Sequence, residues 1–116
     1  MSKSNMGYSD KVYGADALIL KRLPFEGVPM TLDFTSVVAT DDAGNKVVKA
    51  GTPIGPNGTA DNTGTVVGIL LYDVIEKRPQ GTLLKKAYID EDVAKTHSGV
   101  TIDSAVKAAL PMVVFE

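Results

Sequence analysis

Hydrophobic and polar positions alternate most cleanly over residues 30–40 (MTLDFTSVVAT). Met30, Leu32, Phe34 and Ser36 fall on one side, and Thr31, Asp33 and Thr35 on the other. A period of two is the signature of a half-buried strand. The next five residues, Asp41-Asp42-Ala43-Gly44-Asn45, tolerate positive φ and predict a tight turn. Residues 46–49 continue as a short strand, so the pair reads as a β-hairpin. The chain is organised around residues 46–74, where two apolar runs, KVVKAGTPIG and TVVGILLYDV, flank the polar loop PNGTADNTG. That pattern predicts two strands joined by an exposed turn. Gly51-Thr52-Pro53-Ile54-Gly55 predicts a bend, because glycine and proline interrupt a regular ladder. Gly68, inside the strongest strand (residues 65–74), marks a bulge or a close backbone approach.

Residues 76–81 (EKRPQG) form a charged, exposed turn, and residues 82–89 a strand. Its alternation places Leu84, Lys86 and Tyr88 on one face and Leu83, Lys85, Ala87 and Ile89 on the other. Asp90-Glu91-Asp92 opens a helix of about two turns, with acidic residues suited to the positive end of its dipole, and Ser98-Gly99 closes it. Asp103 is a good N-cap for a second helix over residues 104–110, which Pro111 stops. Met112-Val113-Val114-Phe115 is apolar enough to be a strand built into the sheet. At the other end, residues 1–10 are polar and predict disorder unless a partner ties them down. Residues 11–29 carry Val12, Tyr13, Leu18, Ile19, Leu20, Leu23 and Phe25 with no regular period, and Pro24 and Pro29 exclude a helix or a central strand. We read this as an extended N-terminal arm (residues 1–29) ahead of a β-rich domain (residues 30–116). The competing reading puts Leu18, Ile19, Leu20 and Phe25 in the domain's own core.

Composition narrows the class. The 116 residues are 44% hydrophobic and 22% charged, with a net charge of −2, which suits one globular domain. There is no basic block of the kind a nucleic-acid binder needs. There is no cysteine, so disulfides and thiolate chemistry are excluded. No apolar stretch reaches signal-peptide or membrane-span length, so the chain reads as soluble, unexported and made in the cytoplasm. Abundant Gly, Pro, Thr and Val favour a mainly β (α+β) fold, a small barrel-like or β-clip-type sheet with one or two short helices near the C-terminus.

The chemistry-bearing residues do not assemble a site. His97 is the single histidine, near Ser98 and the Asp90-Glu91-Asp92 trio, but nothing in the sequence supplies the third group of a triad. The acidic trio lacks the spacing of an EF-hand loop and reads as helix N-terminal charge. Glycines at 51, 55, 58, 64 and 68 are not followed by Gly-Lys-Ser/Thr or by a helix, so they do not cradle phosphate. Tyr8 and Tyr13 flank a lysine, yet the net negative charge makes base stacking a poor reading. No catalytic residue, cofactor or metal is expected.

Order and spacing carry a resemblance. VVKAGTPIG, followed after a polar loop by VVGILLYDV, resembles the paired signature of tailed-phage head-decoration and head-fibre proteins. LLKKAYIDED resembles the strand leading into their short acidic turn, and VTIDSAVKAALPMVVF their closing helix and strand. YGADALIL is similar to the arm that opens many of them. The likeness covers roughly residues 13–115, with Lys86-Ala87-Tyr88 departing from the glycine often found before the acidic turn. It implies a non-enzymatic capsid-stabilising protein on the exterior of the virion, commonly a homotrimer, with the phage major capsid protein as partner and neither nucleic acid nor membrane. Under it, Tyr13, Leu18, Ile19, Leu20 and Phe25 are the expected capsid-binding anchors. A second reading takes VKAGTPIG as a strand and turn of a biotinyl/lipoyl carrier barrel associated with an enzyme complex. That carrier needs a lysine at a hairpin tip; residues 56–64 have none, and Lys77 sits in the unlike context Glu-Lys-Arg-Pro.

Overall fold

In the computed structural model, which describes residues 18–116, nearly every element is built on one long strand. The order is β1 (Leu20–Thr31), β2 (Val47–Val48), β3 (Pro53–Ile54), β4 (Gly68–Leu70), β5 (Val74–Ile75), β6 (Gln80–Ile89), α1 (Glu91–Ser98), α2 (Ser104–Ala109) and β7 (Val113–Phe115). β6 is the spine. β1 runs antiparallel along one side of it. The other side is shared: β4 pairs with Leu83 and Leu84, and β7 pairs in parallel with Ala87 to Ile89. β3 lies beyond β4, and β2 and β5 make a separate two-stranded ladder. The domain is mainly β with two short helices near its C-terminus, as expected, and its sheet is open rather than closed into a barrel.

The sheet is covered on both faces, so β4 and its flanks read as a continuous apolar run. Ile69 and Leu71 enter one core cluster with Leu84, Ala87, Ile89, Val106 and Val113. Leu70 points the other way, into a cluster with Leu32, Phe34, Ile54, Val74 and Leu83. The simple alternation expected for β6 is corrected here. Leu84 shares a cluster with Ala87 and Ile89 because Gly27 faces Leu84 while Glu26 faces Lys86, leaving Lys85 as an extra residue on β6. A bulge of this kind shifts which side chains share a face, and Lys85 is accordingly exposed.

The 46–74 unit is one hairpin interrupted by a bend. Val47 faces Ile75 and Pro53 faces Ile69, both pairs lying symmetrically about Asp61. Between them the chain turns at Gly51 (φ 95°), where a Cβ would lie 3.0 Å from the carbonyl oxygen of Ala94 on α1. Pro53 sits within a ladder after all, which it can do because β3 is an edge strand. Gly68 makes the expected close approach: a Cβ there would be 2.8 Å from that of Leu83.

The hairpin expected between residues 30–40 and 46–49 is only partly formed. A bridge joins Thr40 to Lys46, and the Val47 N–H donates to Ala39, but the ladder partner of β2 is β5. Leu32 and Phe34 are buried and Asp33 and Thr35 exposed, so the alternation is real. It ends early because the Val37 N–H turns back onto the Phe34 carbonyl at 3.1 Å.

Both helices begin and end where their caps place them. Asp90 accepts from the Val93 N–H and Gly99 (φ 77°) closes α1; Asp103 accepts from the Ala105 N–H and starts α2.

Loop carboxylates hold the connections and set an acid response. Asp41 accepts the N–H groups of Asn45 and Ala43, the first being the main reason its carboxyl lies below the usual value. Asp61 is lowered chiefly by the Thr63 and then the Thr65 hydroxyl, and Asp33 by the Thr35 hydroxyl and then its N–H. A carboxylate with a depressed folded-state value contributes stability that is present above its unfolded value, 3.8, and is lost as pH falls through the folded one. The melting temperature should therefore fall below about pH 4. Asp41→Asn and Asp61→Asn should each flatten that slope. An unchanged slope in both variants would show that these bonds carry no linkage.

Candidate partner-binding edge

β1 is the only strand of its length with both faces open. Of its twelve residues only Leu20 and Met30 are even half-buried. Proline at 24 and 29 fits, since β1 is an edge strand in the described residues. The boundary expected at Met30 is corrected accordingly: it falls inside β1, and residues 20–29 are strand residues of the sheet. The apolar residues left outside are Leu18 (44% exposed), Leu23 (70%), Phe25 (37%) and Val28 (40%).

The expected anchors divide. Ile19 is completely buried and belongs to the core beside Ile89 and Val106, and Leu20 packs against that core. In this fold Ile19 has no surface to offer a partner, because its side chain fills the space under the β1–β6 end. Leu18 and Phe25 remain outward. Tyr13 lies outside the described residues.

β1 leaves its regular register between Arg22, which faces Tyr88, and Glu26, which faces Lys86. Four steps along β1 match two along β6, so Leu23, Pro24 and Phe25 bulge from the ladder. The bulge is fastened at both ends. Arg22 donates to the Glu116 carboxylate at 2.7 Å and lies 4.1 Å over the Tyr88 ring. Its guanidinium is raised above its usual value by the Glu116 hydrogen bond first and the Glu116 charge second. Lys21 pairs with Asp90 at 3.8 Å on one side, and beyond the bulge Glu26 stands across from Lys86. Nothing in the sequence marked Arg22 or Glu116 as partners, since they lie at opposite ends of the chain and meet only across β6 and β7.

His97 is not paired with the nearby acidic trio. Its Nε2 is 2.7 Å from Oδ1 of Asp73, the same oxygen that accepts the Ala50 N–H at 2.8 Å. Asp90 is occupied as an N-cap, and Glu91 pairs with Lys107 at 2.8 Å. Asp73 has no sequence signal linking it to His97; the hairpin brings it there. His97 and Leu18 line a shallow cavity of about 430 Å³ on α1, together with Asp92, Val93 and Thr96. A second cavity, of about 400 Å³, lies where the β4–β5 connection meets the start of β6. Among the described residues no three His, Asp or Glu side chains are grouped closely enough to hold a metal ion. No described helix is long and apolar enough to cross a membrane. Comparison with protein-family models, with curated proteins and with solved structures finds no match to this chain.

Proposed function

We propose that this chain is a non-enzymatic capsid-stabilising protein that binds the outside of an assembled tailed-phage head, as a trimer. The observation that carries the reading is β1: a long edge strand, exposed on both faces and set with Leu23, Phe25 and Val28. Apolar side chains concentrated on one exposed element mark a protein-contact surface better than a small-molecule site. The ordered motifs from VVKAGTPIG to ALPMVVF support the more specific choice of partner. Three copies on one particle would bind with an avidity that no single contact provides.

The test is sedimentation of the full-length chain with purified heads of the phage that encodes it, stripped of this protein. Saturable co-sedimentation, and heads that withstand a higher temperature once coated, are the expected results. Light scattering on the free chain should give a mass three times that of one chain. Failure to bind, or binding without any change in head stability, would overturn the reading. Truncation to define the arm should stop at residue 17, because a cut at Phe25 would remove Ile19 from the core and half of β1.

A further inference from the structure

We propose that β1 engages its partner through the bulge of Leu23, Pro24 and Phe25, inserted as an apolar plug into a pocket of the capsid surface, and not by adding a partner strand along residues 27–31. This rests on the capsid-binding reading and sharpens how that binding is made.

The direction of the backbone groups decides against strand addition there. The Leu32 N–H donates to Pro79 at 2.8 Å, continuing the register in which Thr31 faces Gln80. On the far side of β6 the Leu71 N–H donates to Thr82 at 2.9 Å, so the Thr82 carbonyl points away from β1. Backbone groups of successive strand residues point to opposite sides, so Val28 and Met30 aim at β6 while Gly27, Pro29 and Thr31 aim outward. Pro29 has no N–H to offer. The Thr31 carbonyl is covered by Gly58, where a Cβ would lie only 2.7 Å from it, and the Gly58 carbonyl in turn accepts the Asp33 N–H at 3.0 Å. An incoming strand would find the outward N–H of Gly27 and then a blocked edge. Proline and a covering loop are the devices by which sheet edges are protected from pairing.

The bulge offers the opposite. It lifts Leu23 and Phe25 off the ladder on either side of a proline, whose ring limits the backbone freedom lost on docking. The nearest cation, Arg22, is already held by Glu116 and Tyr88, so it adds little steering charge. The matching surface is therefore an apolar pocket, and the contact should depend weakly on salt.

Co-sedimentation with stripped heads of the encoding phage tests this, using wild type, Leu23→Ser, Phe25→Ser and Leu23→Met, with amide hydrogen exchange recorded on the bound chain. Each serine variant should weaken binding at least tenfold while melting like wild type, and Leu23→Met should restore most of it. The Gly27 amide should exchange at its free rate when bound. Serine variants that bind as wild type, or a Gly27 amide strongly protected on the head, would overturn the plug while leaving the capsid reading intact. A wild-type chain that does not bind heads would overturn both.

Discussion

Replacing Leu84 with alanine is expected to lower the stability of the domain by about 2–5 kcal/mol. The side chain is completely buried in the larger core cluster, against elements that come from every part of the chain. It sits on the central strand, next to a bulge and between two paired neighbours, so the backbone around it has little room to close the cavity. A domain of this size has about 5–15 kcal/mol in total, so the loss would be a large share of it. Urea unfolding measures it, with Lys85→Ala as the comparison. The exposed bulge residue next door should change stability by less than about 0.5 kcal/mol. Equal effects at 84 and 85 would mean that the bulge does not divide the strand as described.

The second large effect is expected at Gly58. Its φ is 79°, close to the 85° of Gly44, so alanine at either position carries a similar backbone cost of about 1–2 kcal/mol. Their surroundings differ. At Gly44 a Cβ meets nothing within 4 Å, while at Gly58 it would meet the Thr31 carbonyl at 2.7 Å. That oxygen belongs to the end of β1, so relief requires moving either the loop or the strand. Gly58→Ala should therefore cost clearly more than Gly44→Ala in the same unfolding assay, and should also speed amide exchange at Asp33, whose N–H donates to the Gly58 carbonyl. Indistinguishable costs would show that the loop is free of β1. The polar loop thus does more than connect two strands. It covers the edge of the sheet, and Asn62 fastens its far side to the turn before α2 by accepting from the Asp103 N–H and donating to the Thr101 carbonyl.

Local signals were legible wherever the physics is local. Asp90 and Asp103 announce their helices because a carboxylate satisfies free N–H groups one turn away, and Gly99 closes α1 because glycine accepts positive φ. The apolar runs on either side of residues 55–67 pair as the pattern predicts. The hairpin partner of Val47 was misread because adjacency favoured residues 30–40, and only burial against β5 and the second core shows otherwise. The segment before Met30 was read as an arm because its prolines and lack of period fit no internal strand. An edge strand relaxes both requirements, and whether a strand lies at an edge is not written locally.

The candidate edge follows the same division. By itself the sequence determined that residues 18–28 are rich in exposed-capable apolar side chains, that the chain has no cysteine, and that its single histidine has no recognisable catalytic setting. Tertiary structure alone decided which of those side chains are available. Ile19 goes inward, Leu23 and Phe25 are lifted outward by a register shift, and Pro29 and Gly58 close the main-chain edge beside them. The physical reason is that side-chain polarity is a property of each residue, whereas exposure and backbone direction depend on register against β6, a strand more than fifty residues away along the chain.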